Sequence, residues 1–140
     1  MHPNLTLFLL TAVLSLSLSS TSFAGPRDDL MVQYASAAKA VDPTFSGFSA
    51  GRGKALYLQA FTGGKPDTPT CANCHGRDTR APGQTLTGKS IEPVALSVSP
   101  TRYTDPVKVE KWFKRNCTEV MGRECSAREK GDWLSFMASQ

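Results

Sequence analysis

Histidine is scarce in this 140-residue chain, which has only His2 and His75. Charge is missing from its beginning, since residues 1–24 contain no Lys, Arg, Asp or Glu. After that stretch no segment is apolar enough to span a membrane, so no insertion of the mature chain is expected. The formal net charge is +4, yet no run of Lys or Arg tracks a phosphate backbone, and nucleic acid is not an expected partner. Strand-like alternation and internal repeats are also missing. What remains is an all-α reading.

The uncharged beginning has its own pattern. Leu5 to Leu18 is apolar, relieved only by Ser and Thr, and Ser22-Phe23-Ala24 places small residues three and one before Gly25. This is the form of a secretory signal cleaved after Ala24, although its leading segment carries only His2. A membrane anchor is the alternative, but the stretch is short and Ser-rich for one. The expected organisation is a cleaved signal peptide over residues 1–24 and one domain over residues 25–140, exported to the periplasm. Outside the cytoplasm, cysteines are kept as disulfides or bound to another group. A mild positive balance suits docking to an acidic protein partner.

Four helices are expected. Asp28 and Asp29 precede an Ala-rich stretch to Val41, and Pro43 ends it. Ala55, Leu56, Leu58 and Phe61 suggest a second helix from about Arg52 to Phe61, stopped by Gly63-Gly64. Thr104 or Asp105 caps a third, with Pro106 in its first turn and Val109, Trp112, Phe113 and Asn116 on one face. Ser126 and Glu129 form a capping box for the last. Residues 76–104 read as a loop. A loop that long in a small domain has to wrap something.

Cys71-Ala72-Asn73-Cys74-His75 supplies the object to be wrapped. C-x-x-C-H is the attachment motif of c-type haem: two thiols add to the vinyl groups, and the adjacent histidine reaches the iron. A thioredoxin-like dithiol would need a βαβ pattern, which is missing. A zinc site from Cys71, Cys74, Cys117 and Cys125 would need an unusual eight-residue step between its last two ligands. Haem c, one per chain, is the expected cofactor. Once His2 leaves with the signal, His75 is the only histidine, so a second histidine on the iron is excluded in the mature monomer. Met31, Met121 and Met137 remain as methionines; Met31 and Met137 read as packing groups on the terminal helices. Met121 and Asn116 stay open as distal ligands, Asn116 also being a common residue at helix C-termini. A Cys117–Cys125 bridge would contribute roughly 2.5 kcal/mol on the chain-entropy account. Lys108, Lys111, Lys114 and Arg115 offer either a solvated face or a docking surface for an electron donor. Arg102 or Lys54 could pair with a haem propionate.

Tyr103-Thr104-Asp105, Lys108-Val109-Glu110-Lys111-Trp112-Phe113, Arg115-Asn116-Cys117, Gly122-Arg123-Glu124-Cys125 and Glu129-Lys130-Gly131-Asp132 carry a resemblance. Together with C-x-x-C-H they resemble the sphaeroides haem protein and cytochrome c double-prime family, from about Leu30 to Met137. The resemblance implies a class I-like cytochrome c fold with one covalent haem and one disulfide. In that family the residue before the first cysteine of the second pair is the distal ligand, histidine in one branch and asparagine in the other. Carried over, it makes His75 the proximal iron ligand and Asn116 the distal one, with Cys117 and Cys125 bridged. It also implies a redox partner, with a dihaem cytochrome c and a membrane cytochrome b as donors.

Three function classes follow. One is a gas-binding haem protein that accepts an electron and takes oxygen or nitric oxide after Asn116 leaves. The second is an electron carrier with Met121 on the iron. The third is an enzyme reducing oxygen or a small nitrogen oxide, although no spare histidine marks an acid or base. A binding or electron-transfer role is favoured over catalysis.

Overall fold

The computed structural model describes residues 25–140; the expected signal peptide, residues 1–24, lies outside the described residues. Five helices dominate: α1 (Pro26–Val41), α2 (Ala50–Leu58), α3 (Ala72–His75), α4 (Pro106–Met121) and α5 (Ala127–Ala138). No described helix is long and apolar enough to cross a membrane. The all-α expectation holds, with two additions to the four expected helices: the four-residue α3 and a strand pair. A minimal antiparallel ladder pairs β1 (Gly83–Gln84) with β2 (Ser90–Ile91) inside the loop that follows α3. Two residues per strand are too few to leave an alternating pattern in sequence.

The caps explain where the helices start. Asp105 accepts from the Lys108 N–H at 3.1 Å, and Pro106 occupies the first turn of α4, where a missing N–H costs nothing. Ser126 and Glu129 close a reciprocal box at α5, with bonds of 3.2 and 2.8 Å, and Arg123 forks onto the same carboxylate. Gly122 ends α4 in the left-handed region, at φ 72°.

The second helix differs from its expected span. It starts at Ala50, where Ser49 Oγ caps the Arg52 N–H, and stops at Leu58 because Gln59 is extended. Phe61 lies beyond it, and its N–H donates to the Pro69 carbonyl at 2.8 Å. Gly63-Gly64 therefore do not stop a helix. They let the chain lie against the C-terminal turn of α4, since a Cβ at either would overlap carbonyls of Glu119, Val120 or Met121.

Helix α5 is the hub, packing on α1 and on α2. Leu30, Tyr34, Val109 and Leu134 join α1, α4 and α5. Tyr57, Val94, Phe136 and Met137 join α2, the loop and α5. Buried Asp132 locks the crossing, accepting from the Ser49 N–H at 2.6 Å and from Arg52 at 2.7 and 2.8 Å. A carboxylate this buried needs such partners, because removing it from water is costly.

Candidate functional site

Cys71 caps the single turn of α3, which carries Cys74 and His75 and follows a loop anchored on the rest of the fold. The Lys65 N–H donates to the Glu119 carbonyl at 2.7 Å, so α4 holds the approach to the motif. Beyond it, Tyr57 Oη donates to the Gly76 carbonyl at 2.6 Å from a fully buried ring. Gly83 of β1 lies so close that a Cβ would overlap the Cys74 carbonyl. Neither contact was foreseeable from the sequence, where Tyr57 falls within the expected second helix and Gly83 within the expected loop. Tyr57→Phe should leave the Gly76 carbonyl without its donor and cost about 1–2 kcal/mol. A thermal melt of the haem-loaded protein checks this as a fall of a few degrees with an unchanged visible spectrum.

The motif side chains are available to a covalently held haem. Cys71 and Cys74 are free, while Cys117 and Cys125 form a disulfide with Cα atoms 5.6 Å apart. The bridge removes two of the thiolates a zinc site would use, and no cluster of three metal-ligating side chains occurs among the described residues. Burial pushes the Cys71 thiol up to about 11, with backbone and Trp133 hydrogen bonds pulling the other way. Burial also raises Cys74, helped by the negative charge of Glu119. Both are thus neutral at physiological pH. Burial, reinforced by the Arg102 charge, lowers His75 to about 4. Its imidazole is neutral and fit to ligate a metal, and its buried Nδ1 has no partner among the described residues. Two free thiols and a neutral imidazole on one turn fit a haem.

The other expected site residues divide between two environments. Asn116 sits on α4 directly before the disulfide, half-buried, with no hydrogen bond to its carboxamide among the described residues. Met121 is buried in a cluster with Cys117 and Val120, and its Sδ lies 3.5 Å from Cys125 Sγ. Its sulfur is already packed against the bridge. Met31 packs on the Leu30 cluster and Met137 is fully buried beside Tyr57, so both are packing residues. Arg102 influences His75, lies 5.8 Å over the Tyr103 ring and meets exposed Glu92 at 3.8 Å. It is half-buried and available to an anion such as a propionate. The backbone carbonyl of Arg102 is itself gripped by Arg27, at 2.7 Å, and Tyr103 beside it takes φ 63°. Lys108, Lys111, Lys114 and Arg115 are exposed, with Arg115 stacked over Trp112 at 5.4 Å.

Comparison with known proteins places these features. The family described as "Domain of unknown function (DUF1924)" matches residues 43–137. The chain is 55% identical over 89 residues to the cytochrome c-type protein SHP of Cereibacter sphaeroides, spanning 64% of this chain and 69% of that protein. It is 29% identical over 114 residues to cytochrome c'' of Methylophilus methylotrophus, spanning 81% and 79%. Among solved structures it is similar to oxidised SHP, described as an oxygen-binding cytochrome c. The TM-score is 0.75 and the identity 47%, over 83% of this chain and 97% of that one. Oxidised cytochrome c'' from Methylophilus methylotrophus gives a TM-score of 0.73 at 29% identity, over 82% and 94%.

Proposed function

Because the chain belongs to the DUF1924 family and to that of SHP and cytochrome c'', a family of monohaem c-type cytochromes, we propose that it binds a diatomic gas at ferrous haem. In this reading the haem is bonded through Cys71 and Cys74, with His75 on the iron. Asn116 is the sixth ligand of the oxidised state and leaves on reduction, giving oxygen or nitric oxide its place. The haem supplies the redox change and the gas-binding iron; the chain supplies a ligand able to let go.

The observation that carries the reading is the contrast between Asn116 and Met121. Asn116 offers an unpartnered, half-buried amide on α4, whereas the Met121 sulfur is buried against the disulfide. An amide oxygen is a hard, neutral and weak ligand. It tolerates ferric iron and binds the softer ferrous ion poorly. The Cys117–Cys125 bridge begins at the next residue and limits how far the ligand-bearing turn can swing. The oxygen-binding description of SHP agrees with an open ferrous site.

Export belongs to the same reading: residues 1–24 act as the signal, and the mature protein works in the periplasm. Its exposed basic stripe, Lys108, Lys111, Lys114 and Arg115, meets an acidic redox partner, for which a dihaem cytochrome c and a membrane cytochrome b are the candidates. The test is an absorption spectrum of oxidised and reduced protein, with and without carbon monoxide. A ferrous form that takes up carbon monoxide readily is expected. A sulfur-to-iron charge-transfer band in the ferric state would replace Asn116 with Met121, and an unresponsive six-coordinate ferrous haem would refute the open site.

A further inference from the structure

An aromatic chain crosses the domain from the motif to a buried carboxylate-bonded phenol. Trp133 packs in the cluster that includes Cys71 and Ala72. Its ring meets Phe113 edge-on, with centroids 5.5 Å apart, and Phe113 meets Tyr34 edge-on at 6.3 Å. Tyr34 is buried, and its hydroxyl donates to Glu110 Oε1 in a short hydrogen bond. Lys130 Nζ donates to the other Glu110 oxygen at 2.7 Å. The Glu110 side chain is 45% exposed, so a proton placed on it exchanges with water.

We propose that Trp133, Phe113 and Tyr34 form a path that drains oxidising equivalents from the haem when a hydroperoxide reacts there, with Glu110 taking the phenolic proton. The proposal rests on the reading that Cys71 holds the haem, which puts Trp133 at the haem edge. A ferrous haem that binds oxygen releases superoxide whenever it autoxidises, and superoxide dismutes to hydrogen peroxide. Reduction of one hydrogen peroxide to two waters takes two electrons and two protons. The protons come from solvent. One electron comes from the haem and one from Trp133. Tyr34 then returns an electron to Trp133 through Phe113, while its proton passes to Glu110. The net change is one electron lost by the haem, one neutral tyrosyl radical and one protonated carboxyl group.

The chemistry of the three tyrosines singles out Tyr34. Tyr57 and Tyr103 donate to the carbonyls of Gly76 and Val94, at 2.6 and 2.8 Å, and a backbone carbonyl is no base. Tyr103 also meets Trp133 edge-on, at 5.5 Å, so proximity alone would favour it. Only Tyr34 among them donates to a carboxylate. Burial pushes Glu110 up, but hydrogen bonds from Lys130 and Tyr34 outweigh this and keep it ionised. Lys130 also lies 5.5 Å over the Tyr34 ring and 6.0 Å over Phe113. A cation there opposes any ring that becomes positive. Tyr34 must therefore lose its proton with its electron, and Glu110 is placed to accept it. Packing alone would be served by phenylalanine, which needs no buried partner for a hydroxyl.

The test mixes ferric haem-loaded protein with hydrogen peroxide, freezes it and records the electron paramagnetic resonance spectrum. A tyrosyl signal is expected in the wild type and in Tyr103→Phe, and its loss in Tyr34→Phe. Glu110→Gln keeps the ring and its packing but removes the base; it should also lose the signal, and it carries the test if Tyr34→Phe fails to fold. Bleaching of the haem by peroxide should be severalfold faster in both. A tyrosyl signal of wild-type size in Glu110→Gln or Tyr34→Phe would overturn the path, as would a wild type with no protein radical. Carbon monoxide uptake by the ferrous forms is read in parallel, and the covalent haem is checked by intact mass. Failure of either overturns the functional reading by a separate signal.

Discussion

Gly53→Ala is expected to destabilise the protein by about 3 kcal/mol or more, the upper range for forcing atoms into a packed contact. Gly51→Ala, two residues away in the same helix, is expected to stabilise it by about 0.5–1 kcal/mol. The opposite signs follow from what each new methyl would meet. At Gly53 it would overlap the Asp132 carbonyl and come within 2.8 Å of Phe136 Cβ, both on α5. Backbone cannot rotate away as a side chain can, so the two helices would have to separate. That movement would strain the bonds from Asp132 to Ser49 and Arg52, which depend on the same approach. At Gly51 the nearest atom is Ser49 Oγ, at 3.6 Å, an ordinary contact. There alanine only restricts the unfolded chain. Paired thermal melts of the haem-loaded variants check the prediction, and melting points shifted in the same direction would show that the crossing is not what Gly53 serves. A 3 kcal/mol loss is a large share of the roughly 5–15 kcal/mol that holds a domain together. Because α5 also carries Trp133 beside Cys71, the Gly53 variant should also load haem poorly.

The haem motif, the Asp105-Pro106 start of α4 and the Ser126–Glu129 box were all legible in the sequence, because each is a local pattern with a local cause. The all-α class and the second cysteine pair were legible for the same reason. What escaped depends on distant partners. Helix α2 ends at Leu58 and not at Phe61 because the Phe61 N–H is claimed by Pro69, a bond that no helical periodicity encodes. Gly63-Gly64 look like a helix stop, but they serve a close approach to α4, more than fifty residues away in sequence. The bond from Tyr34 to Glu110 spans 76 residues and joins two helices, each of which looks complete without it. At the site itself, the motif residues announced themselves, whereas the supports around them did not. Tyr57 and Gly83 hold the motif through backbone carbonyls, which are the same in every sequence and so leave no mark.

Asn116→His should turn the oxidised haem into a low-spin bis-histidine centre, because imidazole is a stronger ligand for ferric iron than an amide oxygen. Where a competing ligand holds the site about 99% of the time, the apparent affinity for an entering ligand falls about 100-fold. Azide titration of the ferric variant should show a loss of that order, together with a low-spin ferric spectrum before azide is added. Asn116→Ala provides the opposite control. It should change the ferric spectrum, because a ligand is lost, and leave ferrous carbon monoxide affinity within about twofold, because Asn116 has already left in that state. The pair separates a ligand from a residue that only lines the site: a lining residue changed to alanine would leave the ferric spectrum as it was. The disulfide makes the histidine variant demanding as well as informative. Position 116 is tied to Cys117, Cys117 to Cys125, and the end of the same helix is packed under Gly63 and Gly64 on the segment leading to Cys71. A ligand placed there is held on a short tether between the two cysteine pairs, close enough to return on reoxidation. Its hold on the iron then depends on the donor atom, and histidine should close the oxidised site more tightly than asparagine does.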